Sequence, residues 1–198
     1  MNAFRLGAMA ALASIGVSAA ALAAPITANP GPITANGQSY AVYLFADAAN
    51  TDTLTLSSFN SNGTIFNNKS TTVGTTVNLG VRTGTQPFTL NNTTTGISFT
   101  TGVADPVDTY YHATYSTNYA SFGVGGLSAA AQTALNALPG TGSLLFVGFE
   151  DVRNGDYDYN DLIFAFRTQP TTVPEPASLL LVGLGLVGLG VVRRKGLI

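Results

Sequence analysis

Apolar and polar residues alternate along several short stretches in the middle of the chain. Leu54 and Leu56 alternate with threonine or serine, and further along Val77, Leu79 and Val81 alternate with polar residues or glycine. A period of two places every second side chain on one face, so these stretches predict half-buried β-strands. Threonine is β-branched and suits the exposed face of such strands.

Six further apolar runs have the length of strands and are separated by turn residues such as Asn-Gly and Thr-Gly pairs. These runs are residues 40–45, 88–90, 97–100, 110–115, 144–149 and 162–166. Many short strands at this spacing predict an all-β domain over residues 24–170, a single β-sandwich or jelly-roll-like fold. A short duplicated segment at 25–36 is too small for a repeat fold and is interpreted as an N-terminal arm.

One stretch has helical spacing. Ser128 is a suitable N-cap for a helix over 129–138, because Ala131, Leu135 and Leu138 then share one face. The Pro139-Gly140 pair ends it. The predicted domain therefore contains one short helix.

The N-terminal end has the pattern of a secretory signal peptide. Residues 1–23 contain an early arginine, an apolar run and the small residues Ala21 and Ala23. Cleavage after Ala23 is favoured, because cleavage one residue later would leave a proline directly after the cut. The alternative, a membrane anchor, is weaker because the apolar run is short and no basic stop follows it.

The C-terminal end has the pattern of a membrane helix. Residues 177–192 carry no charge and are followed at once by Arg193 and Arg194, in a basic tail over 193–198. A helix of this length covers about 24 Å, slightly less than the hydrocarbon core of about 30 Å, so we expect it to span with local thinning. The positive-inside rule places the tail in the cytoplasm.

Pro174, Glu175 and Pro176 lie just before this helix, in a linker over 171–176. Two prolines keep the segment extended and accessible to a processing enzyme. The three parts together resemble the PEP-CTERM sorting signal of Gram-negative bacteria, with Arg193 and Arg194 matching its basic tail.

The resemblance covers residues 173–198. It implies export across the inner membrane, transient anchoring there, processing by a membrane-embedded exosortase, and transfer to the cell surface or extracellular matrix. The alternative is an ordinary single-pass anchor with a proline-rich linker.

Composition narrows the chemistry of the domain. Among 198 residues there is no cysteine and one histidine, which excludes disulfides, thiolate-bound metals and a multi-histidine metal centre. A net charge of −2 without a basic cluster argues against a nucleic-acid partner. Residues 24–170 hold four basic and nine acidic residues, a charge of −5. This part is more acidic than the whole chain because three of the other basic residues lie in the tail.

Five of those nine acids fall within residues 150–161, between two predicted strands. The segment therefore predicts a β-hairpin with an acidic tip, where Asn154-Gly155 supplies the turn. Asp156, Asp158 and Asn160 occupy every second position and converge if the loop curls. They offer the oxygen ligands that calcium prefers.

Asp151 and Asp161 are available to complete this calcium shell. The spacing is not that of an EF-hand, because Asp161 stands where glycine is required and Arg167 where glutamate is required. The alternative is a solvated acidic hairpin, in which Asp and Asn cap their own turns and Arg153 neutralises part of the charge.

This hairpin also resembles the end of a bacterial extracellular family of unknown function, which closes on an Asp-x-Asp-Tyr-Asn-Asp-Leu-x-Phe strand. The matching residues are Phe149, Glu150, Asp151, Asp156, Asp158, Tyr159, Asn160, Asp161, Leu162 and Phe164. The resemblance implies an extracellular β-rich fold and is in line with the calcium hypothesis.

The sequence leaves three functional interpretations open for the domain. Glu150 and Asp158 are a conceivable pair of glycosidase carboxylates, and His112 a conceivable base, but no nucleophile motif accompanies them. Carbohydrate binding through stacked tyrosines is the alternative to a passive role. Those tyrosines are Tyr110, Tyr111, Tyr115 and Tyr119. The leading prediction is a non-catalytic, calcium-stabilised protein of the surface or matrix, associated with biofilm or extracellular polysaccharide.

Overall fold

The computed structural model describes residues 24–57, 59–60 and 63–170. The predicted signal peptide, the linker with its Pro-Glu-Pro motif, the predicted membrane helix and the basic tail lie outside the described residues. Within the described ranges, no helix is long and apolar enough to cross a membrane.

The described residues form nine strands in two antiparallel sheets. The strands are β1 (Thr34–Phe45), β2 (Asp52–Leu56), β3 (Thr64–Asn67), β4 (Thr76–Thr85), β5 (Phe88–Asn92), β6 (Ile97–Thr100), β7 (Ala113–Ser116), β8 (Leu144–Phe149) and β9 (Leu162–Pro170). The five-stranded sheet has the order β4-β1-β9-β8-β7, and the four-stranded sheet the order β3-β2-β5-β6. The prediction of an all-β domain is confirmed.

The two sheets face each other across an aromatic core. Phe164 of β9 lies 4.9 Å from Phe88 and 6.4 Å from Phe66, measured between ring centroids, and both partners belong to the opposite sheet. All three rings are fully buried. The molecule is thus a two-sheet sandwich.

Strand β9 is buried on both faces. Phe164 and its neighbours at every second position face the opposite sheet, whereas Ile163 and Ala165 belong to a second core on the outer face. A strand covered on both sides has no need of polar alternation, which explains its continuous apolar sequence.

The second core is closed by the short helix α1 (Ala129–Ala137). The Ser128 hydroxyl accepts a hydrogen bond from the backbone N–H of Ala131 at 3.2 Å, so the predicted N-cap is confirmed. Ala131, Leu135 and Leu138 are all buried, as the helical spacing predicts. The helix ends one residue earlier than predicted, because Leu138 has an extended backbone.

Three details of the sequence-based prediction are wrong. Val81 is 64% exposed, because the register between β4 and β1 shifts at Leu79, so the alternation of buried and exposed side chains does not continue unbroken to Val81. The run 110–115 becomes a strand only from Ala113 onwards. The presumed arm is part of the fold, since Ile33 is buried and β1 begins at Thr34.

Candidate metal centre

The acidic loop connects β8 to β9 and comprises residues 150–161. Its base is fixed by the strand register, which pairs Phe149 with Leu162. Asn154, Tyr157 and Tyr159 have positive φ values of 55°, 56° and 58°. This left-handed backbone is uncommon for residues other than glycine and bends the loop back on itself. The predicted curl of the loop is therefore present.

Two groups of carboxylates form around Glu150. In the inner group, carboxylate oxygens of Glu150, Asp151 and Asp161 lie within 4.8 Å of one another. In the outer group, oxygens of Glu150, Asp156 and Asp158 do the same. The four aspartates of these groups are the ones that the sequence predicts as metal ligands, and the structure brings each of them close to Glu150.

Glu150 is the shared member and was not predicted as a ligand. Its side chain is only 1% exposed, and its Oε2 atom is buried with no hydrogen-bond partner among the described residues. A Cβ built on Gly155 overlaps Glu150 Oε1, so the predicted Asn154-Gly155 turn also leaves room for this carboxylate.

Asp52 approaches the inner group from the opposite sheet, next to Asp151. It is the first residue of β2, it is fully buried, and its carboxyl lies within hydrogen-bonding contact of Asp151. Asn68 Nδ2 donates to its Oδ2 at 2.9 Å, whereas its buried Oδ1 has no partner in the described part of the chain. Asp52 is the functional candidate that sequence reasoning missed.

A signal for Asp52 was present in the sequence. It stands two residues before Leu54, so the same period of two that buries Leu54 and Leu56 also turns Asp52 inward. A charged residue at a buried strand position is rare unless it is paired or binds a metal.

Amide side chains hold the inner group in place. Asn50 Nδ2 donates to Asp151 Oδ2 at 2.9 Å, and Asn92 Nδ2 donates to the Asp151 carbonyl at 3.0 Å. The Asp151 N–H in turn donates to Asp161 Oδ2 at 2.7 Å. These neutral donors orient the carboxylates without cancelling their charge.

The outer group is organised within the loop itself. The Asn160 N–H donates to Asp158 Oδ1 at 3.1 Å, and Asn160 Nδ2 donates to Asp158 Oδ2. The amide nitrogen of Asn160 therefore positions Asp158. The prediction that the Asn160 side chain also binds the metal stays a prediction.

The electrostatics of the cluster are unfavourable for charged carboxylates. Burial, together with the charges of Asp161, Asp156 and other neighbours, raises the pKa of Glu150 to about 8. Burial and the neighbouring Asp151 raise the pKa of Asp52 to about 7, and burial raises that of Asp161 to about 7 as well. Removing charges from water and placing like charges together both disfavour ionisation.

Arg153 does not neutralise this cluster. It forms hydrogen bonds of 3.1, 3.1 and 2.9 Å with the buried carboxylate of Asp105. Burial alone would raise the pKa of Asp105, but these hydrogen bonds hold it below its ordinary value. The part of the alternative interpretation in which Arg153 offsets the acidic tip is therefore wrong, whereas the part in which an aspartate caps its own turn agrees with the hydrogen bond from the Asn160 N–H to Asp158.

The residues considered for other chemistry are enclosed. His112 is buried, its Nε2 lies 2.8 Å from Asp108 Oδ2, and its ring stacks on Phe99 at 3.8 Å. Tyr119 is buried, and Tyr110 packs edge-on against Tyr157. None of the four tyrosines considered for sugar binding is an exposed side chain in the structure.

Comparison with known proteins concerns the C-terminal end. Residues 172–195 match the family model of the PEP-CTERM protein-sorting motif. The chain therefore carries a PEP-CTERM sorting signal, which indicates an exported protein that is transiently anchored in the membrane and sorted through exosortase. No curated protein and no solved structure matches the chain.

Proposed function

We propose that this exported protein is a non-catalytic component of the cell surface or extracellular matrix, whose sandwich is stabilised by calcium bound at the acidic loop. One observation carries the calcium part. Two buried carboxylate oxygens, Glu150 Oε2 and Asp52 Oδ1, have no hydrogen-bond partner among the described residues and lie within a cluster of acids. A buried carboxylate oxygen without a partner costs stability, and a cation removes that cost.

Calcium fits this donor set better than magnesium does. Calcium takes six to eight oxygen ligands in flexible geometry, from carboxylates, carbonyls and water. Magnesium demands near-octahedral geometry and usually retains several waters. A crowded, largely buried set of carboxylates such as Glu150, Asp151 and Asp161 matches the first description.

The non-catalytic part is supported by the enclosure of the candidate catalytic groups. Glu150 and Asp158 lie close enough to form a carboxylate pair, but Glu150 is 1% exposed and a sugar ring has no access to it. His112 is equally buried. A general acid or base must reach the atom whose proton it transfers.

The surface or matrix location is supported by the sorting signal. Processing at such a signal releases the domain from its membrane anchor on the outer side, where a rigid, calcium-stabilised sandwich suits a structural role. Association with extracellular polysaccharide is the corresponding proposal for its partner. This proposed association does not rely on tyrosines that stack on sugar rings, since the candidate tyrosines are buried or half-buried.

Thermal unfolding of the full chain, purified in detergent and stripped with EGTA, tests the calcium proposal. We expect excess calcium to raise the melting temperature by several degrees, and magnesium at the same concentration to raise it much less. The Asp156→Ala and Asp158→Ala variants should lose part of the calcium response. Equal responses to the two metals, or an unchanged response in both variants, would contradict the proposal.

A further inference from the structure

We propose that the acidic loop binds two calcium ions rather than one, bridged by Glu150, and that Asp52 ligates the inner ion from the opposite sheet. This inference rests on the proposed function and extends it. It assigns a metal-binding role to Asp52 and Glu150, and it makes the inner ion a link between the two sheets.

The geometry of the two carboxylate groups supports two ions. Calcium binds oxygen at 2.3–2.6 Å, so two ligands of one ion are at most about 5 Å apart. The inner group and the outer group each satisfy this limit, with all their oxygens within 4.8 Å. They satisfy it as two separate groups that share only Glu150. A carboxylate has two oxygens, so Glu150 can give one to each ion.

The net charge of the cluster also supports a second ion. Six carboxylates belong to the cluster: Asp52, Glu150, Asp151, Asp156, Asp158 and Asp161. Fully ionised they carry −6, and one calcium ion leaves −4 in a partly buried volume. Two ions leave −2, a charge that the positively charged Lys69 near Asp52 reduces further. Two ions therefore remove most of the repulsion that one ion leaves in place.

The environment of Asp52 supports its role as a ligand. It is fully buried, one of its oxygens accepts a hydrogen bond from Asn68, and the other has no partner in the described structure. Its carboxyl lies within hydrogen-bonding contact of Asp151 and near Asp161. Since β2 belongs to the four-stranded sheet and the loop to the five-stranded sheet, an ion held by Asp52 and Asp151 joins the two.

Calcium titration calorimetry on the full-length protein in detergent tests the stoichiometry. The expected result is two ions per chain. One ion per chain would overturn this inference and leave the proposed function intact, and no binding would overturn both. Terbium luminescence, sensitised by the loop tyrosines Tyr157 and Tyr159, gives an independent titration of the sites.

Isosteric variants show which carboxylates bind which of the two ions. Asp52→Asn should weaken one site by about tenfold or more and spare the other, and Asp158→Asn should do the reverse. Glu150→Gln should weaken both. The matched control is Asp47→Asn, which removes an exposed charge that acts on Asp158 but belongs to neither group. A loss as large in the control as in Asp52→Asn would refute direct ligation by Asp52.

A measurement on the unmodified protein covers the case in which Asp52→Asn fails to fold. Calcium should slow amide hydrogen exchange in β2 as well as at the loop, because the inner ion holds β2. Slowing confined to residues 150–161, with no change across Asp52–Leu56, would overturn the role of Asp52.

Discussion

Replacing Asp52 by asparagine should stabilise the metal-free protein, which is the opposite of the usual effect of a substitution at a fully buried polar residue. Asparagine has the same shape and keeps an oxygen for the hydrogen bond from Asn68. Its amide group can donate to the neighbouring Asp151 carboxylate, where Asp52 presents a second negative charge. The variant therefore removes a repulsion and keeps the packing.

The structure sets the size of this effect. The pKa of Asp52 is raised from its ordinary value of 3.8 to about 7. Three pKa units correspond to about 4 kcal/mol of unfavourable interaction with the ionised form. That figure is an upper limit, because Asp161 titrates together with Asp52 and the hydrogen bond from Asn68 is stronger to a charged oxygen. We expect an increase of about 1–4 kcal/mol in the free energy of unfolding at pH 8.

Urea denaturation in EGTA and in excess calcium measures both sides of this prediction. In EGTA the Asp52→Asn variant should exceed the unmodified protein in stability. In calcium this difference in stability between the two proteins should become smaller or change sign. Saturation at a hundred times the dissociation constant adds about 2.7 kcal/mol to the stability of a protein that retains its site. A variant that is less stable in EGTA would refute the reasoning.

Asp105→Asn is the matched control for this prediction. Asp105 is also a buried aspartate, but it is paired with Arg153 through three hydrogen bonds. Its replacement should lower stability equally in EGTA and in calcium. A calcium-dependent loss in this variant would show that the comparison does not isolate the metal cluster.

The remaining predictions concern the core, the loop, pH and the sorting signal. Phe164→Ala should lower the free energy of unfolding by about 3–5 kcal/mol in urea, because it leaves a cavity between the sheets; a loss below 1 kcal/mol would contradict the described core. Gly155→Ala should displace the Glu150 carboxylate and weaken calcium binding in calorimetry, and unchanged affinity would argue against that contact. Without metal, the free energy of unfolding should fall from pH 5 to pH 8. The pKa values of Asp52 and Asp161 are raised to about 7 and that of Glu150 to about 8, so these groups favour the fold while protonated and lose that contribution as they ionise. Urea midpoints that rise over this pH range would contradict this prediction. Replacing residues 174–176 by alanine should leave unprocessed protein in the membrane fraction on immunoblots, whereas normal release would show that the motif is not read.

The sequence predicts the elements of this fold better than it predicts their partners. The bounds of β8 agree with the predicted run, and the helix cap agrees at Ser128, because local periodicity and capping chemistry depend on neighbouring residues. Val81 shows the limit, since a period of two in the sequence does not reveal where the pairing register shifts.

The sequence also predicts only part of the candidate site. The loop acids lie within twelve residues of sequence, so their convergence follows from a local bend. Asp52 comes about a hundred positions earlier and reaches Asp151 only because the two sheets pack face to face. Period-two spacing shows that Asp52 points inward, but the residue it meets depends on tertiary packing.

The course of β9 sets the direction in which the acidic loop is displayed. The strand begins at Leu162, next to the loop, and ends at Pro170, only four residues before the sorting motif at Pro174. At about 3.3 Å per residue its two ends are roughly 26 Å apart. The chain therefore leaves the domain toward its sorting motif from the end of β9 that is remote from the carboxylates. The cations proposed for the cluster would accordingly be bound at the opposite end of the strand from the point where the sorting signal is attached.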